Sequence, residues 1–501
     1  MSVTATKASA PSVFHMGLKS LRLDRAELHT ATRKKLVEAM KQALPEDQVG
    51  IVLLQGGRPW SIYSTDTESV FRQESYFNYL FGVEQEDYYG AVDIRSGKAM
   101  LFMPRLPAEY GVWMGPIETP SQVKEKYGVD ETHYVDEMAA VLRSSQPPVL
   151  HTLAGTNTDS SSTIKPAEFE AIAEFTTETD LLFPILAECR VHKTPLEIQA
   201  MKYANDIASA GHVEIMRQCS AGMMEYQLEA VFLSHCYKAG GCRHTPYTPI
   251  CASGPNGAVL HYGHAGAPND RELCDGDMML CDMGCEYHGY DSDITTSFPV
   301  NGKFTEDQKI VYNAVLDAQK AVIGAMKPGV AWPDMHGLAN RTILNGLKAG
   351  GFLTGDIDEM MGSHVGALFM PHGLGHLIGL DTHDVGGYGP NHPQRSSEPG
   401  FKSLRTARVL EEGMVITVEP GCYFNPFLLE PALQNPEVKG FLVAERIKAC
   451  MQFGGVRIED DVVLTSDGCY SLTNVPREVE EVEAVMAGAP WPLKKQKISA
   501  E

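Results

Sequence analysis

A chain of 501 residues is too long for one ordinary core, so two domains are expected, each able to bury a substantial interior. A hydrophobic content of 43% and a charged content of 21% are those of a soluble globular protein, and 64 acids against 42 Lys plus Arg leave a formal charge of -22. That balance argues against a nucleic-acid or anionic-membrane partner, because both require a basic footprint.

No stretch approaches the roughly 20 apolar residues of a membrane span. The start, MSVTATKASAPSVFHMG, lacks the continuous apolar core of a secretory signal, so the expected address is the cytosol. Eleven cysteines, an odd number, all fall between Cys189 and Cys469, which is not the disulfide framework of a small secreted domain. The CDMGC segment has no second matching pair, and a strand there puts Cys281 and Asp282 on opposite faces, so the thiols read as buried, reduced packing residues.

Residues 1–18 are Ser/Thr/Ala-rich and read as loose. A helix is expected from Asp24 to about Gln42, followed by a strand in GIVLLQGG and an aromatic-rich segment, Phe71–Gly82, ending at a glycine. Two strand-like runs, YYGAVDI and AMLFM, are joined by a turn, and a Pro-flanked loop follows with Trp113 and Met114. Strands mixed with helices make residues 1–190 an α/β domain, with no cluster of ligand-type residues.

The second domain, residues 191–501, begins where Thr194-Pro195-Leu196-Glu197 forms a capping box opening a helix towards Gln218. A further box, Thr305 with Gln308, starts a helix that closes before Pro328, and another helix runs from Pro333 to about Ala349. Strand-like runs lie between and after them, including VITVE and VRIEDDVVL, and the acids of Glu478–Glu483 read as one solvated helix face. The pattern is α+β, with antiparallel strands and capped helices expected on one side of the sheet.

Within this half, Met278–Phe298 carries two acids in the setting of a sheet interior. Asp282 ends a strand that is apolar on both faces, and after a turn region with Gly284 and Gly289 the second run aligns Asp291, Asp293, Thr295 and Ser297. Buried carboxylates cost several kcal/mol each unless paired, protonated or bound to a metal. Glu419 repeats the pattern at the end of VITVE. In VRIEDD, Arg457 and Glu459 share a face, so the arginine is placed as a partner to that acid. PHGLGHLIG has histidines at 372 and 376, but its glycines make it a loop or strand entry, so only one of the two need be a ligand. HYGH supplies two further imidazoles, His261 and His264. Four carboxylates bring four negative charges, which two divalent cations cancel. An oxygen-rich site with one imidazole is hard in character and favours Mn2+ or Mg2+.

FRQES, HYGHAGAPND, DMG, SDIT, FMPHGLGH, THDVGGY, LRTAR, TVEPG and GGVRIEDDV, in this order, make the chain resemble the prolidase family of the methionine aminopeptidase-like pita-bread superfamily over nearly its whole length. The resemblance implies an Xaa-Pro dipeptidase with a pita-bread C-terminal catalytic domain, usually a homodimer. It implies metal ligands at Asp282, Asp293, His376, Glu419 and Glu459, with Asp293 and Glu459 bridging two ions. It also implies substrate-side residues His261, His383 and Arg405, with Tyr247 supporting the ligands and Trp113 reaching a neighbouring subunit's pocket. In such a site two metals roughly 3.5–4 Å apart lower the pKa of a bridging water, whose hydroxide attacks the scissile carbonyl. Glu419 passes the water's proton to the leaving nitrogen, and His383 and His261 stabilise the oxyanion. The nearest rival is an Xaa-Pro aminopeptidase, which shares fold and metals but takes longer peptides. The ends depart most from the family, including the basic tail LKKQKIS.

Overall fold

The computed structural model describes residues 12–263 and 269–493. His264, most of the first 18 residues and the basic tail beyond Leu493 lie outside them. The chain divides into two compact units, Met1–Glu197 and Ile198–Glu501, parted in the first turn of the helix expected to open the second domain.

In the first unit the expected helix spans Arg25–Ala43, with the Asp24 side chain accepting from Glu27 N. The aromatic segment forms helix Ser75–Phe81, closed by Gly82 at φ +61, a left-handed cap glycine adopts freely. A six-stranded sheet orders Thr177–Glu178, Leu150–Thr152, Ile51–Gln55, Tyr89–Asp93, Ala99–Met103 and Glu131–Tyr134 side by side. Its three central strands are antiparallel and its outer pairings parallel. Ile51, Leu53, Ala91, Met100 and Phe102 line one buried face, so the unit is α/β as expected. The Pro-flanked loop differs: Tyr110–Met114 forms a short helix that presents Val112, Trp113 and Met114 to solvent.

The second unit opens with helix Pro195–Gln218, whose capping box is formed: Thr194 N donates to Glu197 Oε2 at 2.8 Å. Thr305 and Gln308 form the second box, on helix Glu306–Ala325, which packs against helix Trp332–Ala349. Three antiparallel ladders carry the chemistry. Ile250–Ser253, Met278–Asp282 and Thr295–Pro299 form one; Gly421–Tyr423 and Gly455–Arg457 a second; Val415–Val418, Asp460–Leu464 and Cys469–Ser471 a third.

VRIEDDVVL, read from sequence as one run, is therefore two strands broken at Ile458–Glu459. The cause is Pro420, between the two facing strands, which accepts from Ile458 N at 3.3 Å but has no N–H to donate in return. The break frees Glu459 N to bond Thr295 O at 3.2 Å, carrying that acid across to the first ladder. The acidic run forms helix Val479–Met486, with Val479, Val482 and Val485 buried and Glu480 exposed; Glu483 is partly covered and holds Lys303 at 2.7 Å. No helix among the described residues is long and apolar enough to cross a membrane.

Candidate metal centre

The hairpin forms as its pattern requires, with Asp282 paired opposite Thr295. Asp293 lies in the bend just before Thr295, not in the strand itself, and its backbone N–H is fixed by Asp461 Oδ2 at 3.0 Å. Gly284 permits the turn between the arms, since a Cβ there would meet Ser292 O at 1.9 Å.

Glu419 and Glu459 arrive from the two broken strands. His376 arrives from the PHGLGH loop, which lies against the Val415–Val418 strand so tightly that a Cβ on Gly375 would stand 2.0 Å from Thr417 O. That approach lets His376 N reach Thr417 Oγ1 at 3.0 Å. The ring's Nδ1 faces Leu377 O at 3.1 Å; a carbonyl only accepts, so the hydrogen sits on Nδ1. Nε2 is left pointing at Asp293 Oδ2 (3.4 Å) and Glu419 Oε1 (3.7 Å). A lone pair aimed at carboxylate oxygens is repulsive unless a cation or a carboxyl proton stands between them.

The donor set fits one. Ligand atoms of Asp293, His376 and Glu459 lie within 4.8 Å of one another, all buried. Asp282 Oδ1 and Asp293 Oδ1 are buried with no hydrogen-bond donor. Burial and the neighbouring Asp282 push Asp293 well above the usual carboxylate range; burial, Asp293 and Glu419 do the same to Glu459. Glu419 is raised to about 7, chiefly by burial, against the pull of His376 and Arg457. Without cations these acids are forced towards their protonated forms.

Arg457 sits behind them as expected from its strand face. Its Nη2 donates to Asp282 Oδ2 at 2.6 Å, and its Nε to Thr295 Oγ1 at 3.2 Å, which in turn donates to Glu459 Oε2 at 2.6 Å. Burial opposes its charge, but Tyr423, Asp282, Glu459 and Glu419 outweigh that and hold it firmly protonated. Tyr247 is placed among Asp282, Asp293 and Glu459, which together with burial raise its phenol well above the usual range. His383 stacks edge-on against His376, ring centroids 4.5 Å apart. His383 is exposed, yet the part of its ring packed against the site, with the charges of His376, Arg405 and His261, lowers its pKa. His261 and Arg405 thus lie near enough for their charges to act on His383. Trp113 belongs to the other unit.

The sequence profile described as metallopeptidase family M24 matches residues 199–466, and that of the aminopeptidase P N-terminal domain matches residues 29–148. An Xaa-Pro dipeptidase of Homo sapiens is 53% identical over 96% of this chain and 97% of its own length. The chain belongs to metallopeptidase family M24, among its Xaa-Pro dipeptidases. Among solved structures, zinc-substituted Escherichia coli aminopeptidase P in complex with product superimposes with a TM-score of 0.74 at 30% identity, covering 92% of this chain and 98% of that one. Pseudomonas aeruginosa aminopeptidase PepP gives 0.73 at 31% identity, over 94% and 99%. The second unit of this M24 peptidase is therefore a pita-bread domain, preceded by an aminopeptidase P-type domain.

Three residues of the M24 site escaped the sequence reading. His372, the other imidazole of PHGLGH, lies with Nδ1 3.7 Å from Glu419 Oε2 and Nε2 2.8 Å from Tyr423 OH. Tyr423 OH also takes Arg457 Nη1 at 2.8 Å, joining His372 to the arginine. Arg477 donates to Thr295 O at 2.7 Å and to Glu459 O, pinning the crossing point of the two ladders. The paired histidines were a visible signal; Tyr423 and Arg477 had none, because their partners are distant in sequence.

Proposed function

We propose that this peptidase hydrolyses Xaa-Pro dipeptides to a free amino acid and proline at a dinuclear centre. What carries the reading is the donor set: ligand atoms of Asp293, His376 and Glu459 gather within 4.8 Å with Glu419 and Asp282 beside them, in a chain 53% identical to an Xaa-Pro dipeptidase, against 38% to a probable Xaa-Pro aminopeptidase of Sordaria macrospora. Asp282, Asp293, His376, Glu419 and Glu459 would hold two divalent ions, Mn2+ by the hardness of the donors, which when bound supply Lewis-acid polarisation and an activated water.

The chain's own groups do the rest. Glu419 takes the proton of the attacking water and delivers it to the departing nitrogen. That delivery matters because the imino nitrogen of an Xaa-Pro bond carries no hydrogen and leaves poorly unprotonated. His383 and His261 donate to the carbonyl oxygen as it gains charge. Arg405 pairs with the free carboxylate of proline, and Tyr247 keeps the ligand carboxylates in place.

Elemental analysis of variants tests the assignment. Asp293→Asn or Glu459→Gln lowers occupancy of both ions, whereas Asp282→Asn mainly empties one. Equal losses in all three overturn the division of roles.

We further propose a homodimer in which Trp113, 83% exposed beside Val112 and Met114, covers the partner's pocket. Trp113→Ala is then expected to raise KM with metal content intact; an unchanged KM returns the side chain to a surface role.

A further inference from the structure

Beyond the capping Glu197, helix Pro195–Gln218 carries three buried polar side chains, Asn205, Ser209 and His212, at spacings that put them on one face. Polar groups so buried are costly unless bonded, and each of these has a partner in the strands or turns beneath. Asn205 Nδ2 donates to Asp461 Oδ2 at 2.8 Å, the oxygen that accepts from Asp293 N. Ser209 Oγ accepts from Asn474 N at 3.0 Å, a backbone group that belongs to neither arm of the Asp282 hairpin.

His212 reaches both arms of the metal-bearing hairpin. Its Nε2 lies 2.9 Å from Met283 O and its Nδ1 2.9 Å from Thr296 Oγ1. The carbonyl can only accept, so Nε2 carries the hydrogen and Nδ1 accepts from the Thr296 hydroxyl. Met283 follows Asp282 directly. Thr296 follows Thr295, which faces Asp282 across the ladder and donates to Glu459. One imidazole therefore clips the two arms together immediately behind Asp282. The Phe232 ring closes its edge at a centroid distance of 5.1 Å, and burial lowers the pKa of His212 to about 4, so its donor and acceptor stay fixed at neutral pH.

We propose that His212 is a positioning residue of the metal centre, holding the backbone after Asp282 so that this carboxylate keeps its direction toward the ions. The proposal rests on the dinuclear reading above. Groups that orient metal ligands from outside typically contribute 10- to 100-fold in affinity, and His212 acts one bond further out through the backbone, so the low end is expected.

The test is Mn2+ affinity by chelator competition at neutral pH on folded full-length protein, with melting measured in parallel. His212→Asn is too short to reach Met283 O and is expected to weaken Mn2+ binding about tenfold. His212→Gln, whose amide reaches the Nε2 position, restores most of it. Ser209→Ala, on the same face and equally buried, lowers melting without weakening Mn2+ binding. If His212→Asn binds as tightly as wild type, or Ser209→Ala weakens binding equally, the residue only packs and the proposal falls. Should His212→Asn fail to fold, the isosteric Thr296→Val removes the other end of the clip: weaker binding supports the proposal and unchanged binding overturns it. Wild-type protein that binds no Mn2+ refutes the metal centre itself, a separate outcome.

Discussion

Exhaustive chelation and desalting are expected to abolish turnover and lower the melting temperature, and both effects should reverse on adding Mn2+. Losing the Lewis acids removes several kcal/mol of transition-state stabilisation, a fall of about a thousandfold or more in rate. The stability loss has a pH signature. Glu419 titrates at about 7 in the metal-free fold, above the usual glutamate value of 4.5, so between those pH values the native state binds more protons than the unfolded chain. Relative to the Mn2+-loaded protein, the metal-free protein therefore loses stability as pH rises from about 4.5 through 7, and Asp293 and Glu459, also raised by burial, extend that loss upward. Bound cations favour the ionised forms and remove that contribution. Melting curves across that range, with and without Mn2+, check it, because buried neutral histidines such as His29, His212 and His336 slope both curves alike; a gap between the two curves that does not widen as pH rises contradicts the reading.

Arg405→Ala is expected to cut Gly-Pro cleavage roughly 30- to 1000-fold in kcat/KM, from losing a charge-assisted pair worth about 2–4 kcal/mol in a partly desolvated pocket. Arg405 is partly buried and close enough to His383 for its charge to depress that imidazole. Its planar fork suits a carboxylate bidentately, which a compact ammonium would not. A dipeptide presents that carboxylate on proline itself, so the variant should also narrow the preference for Gly-Pro over Gly-Pro amide, with metal content unchanged. Unaltered discrimination between acid and amide would remove Arg405 from the pocket.

How much of this was legible in the sequence depended on range. Capping boxes at Thr194 and Thr305 and the apolar runs ending in Asp282 and Glu419 are local patterns, and the structure forms each where the residues required it. The break at Glu459 was not legible, because its cause is Pro420, which comes to face it only in the fold. Tyr423 and Arg477 were missed for the same reason. Asn205, Ser209 and His212 did leave a trace, polar residues recurring at helical spacing on a face that is otherwise Ala, Ile and Met. What their partners are could be seen only once the strands lay beneath them.

The central claim is that this M24 site is built for a dipeptide whose proline carboxylate is free. The most direct measurement is kcat/KM of Mn2+-loaded wild-type protein on Gly-Pro against Gly-Pro-Ala. The account predicts a preference for Gly-Pro of at least roughly 30-fold, since the tripeptide sets an amide against Arg405 and leaves the guanidinium unpaired. Equal cleavage of the two would contradict it and make the chain an Xaa-Pro aminopeptidase.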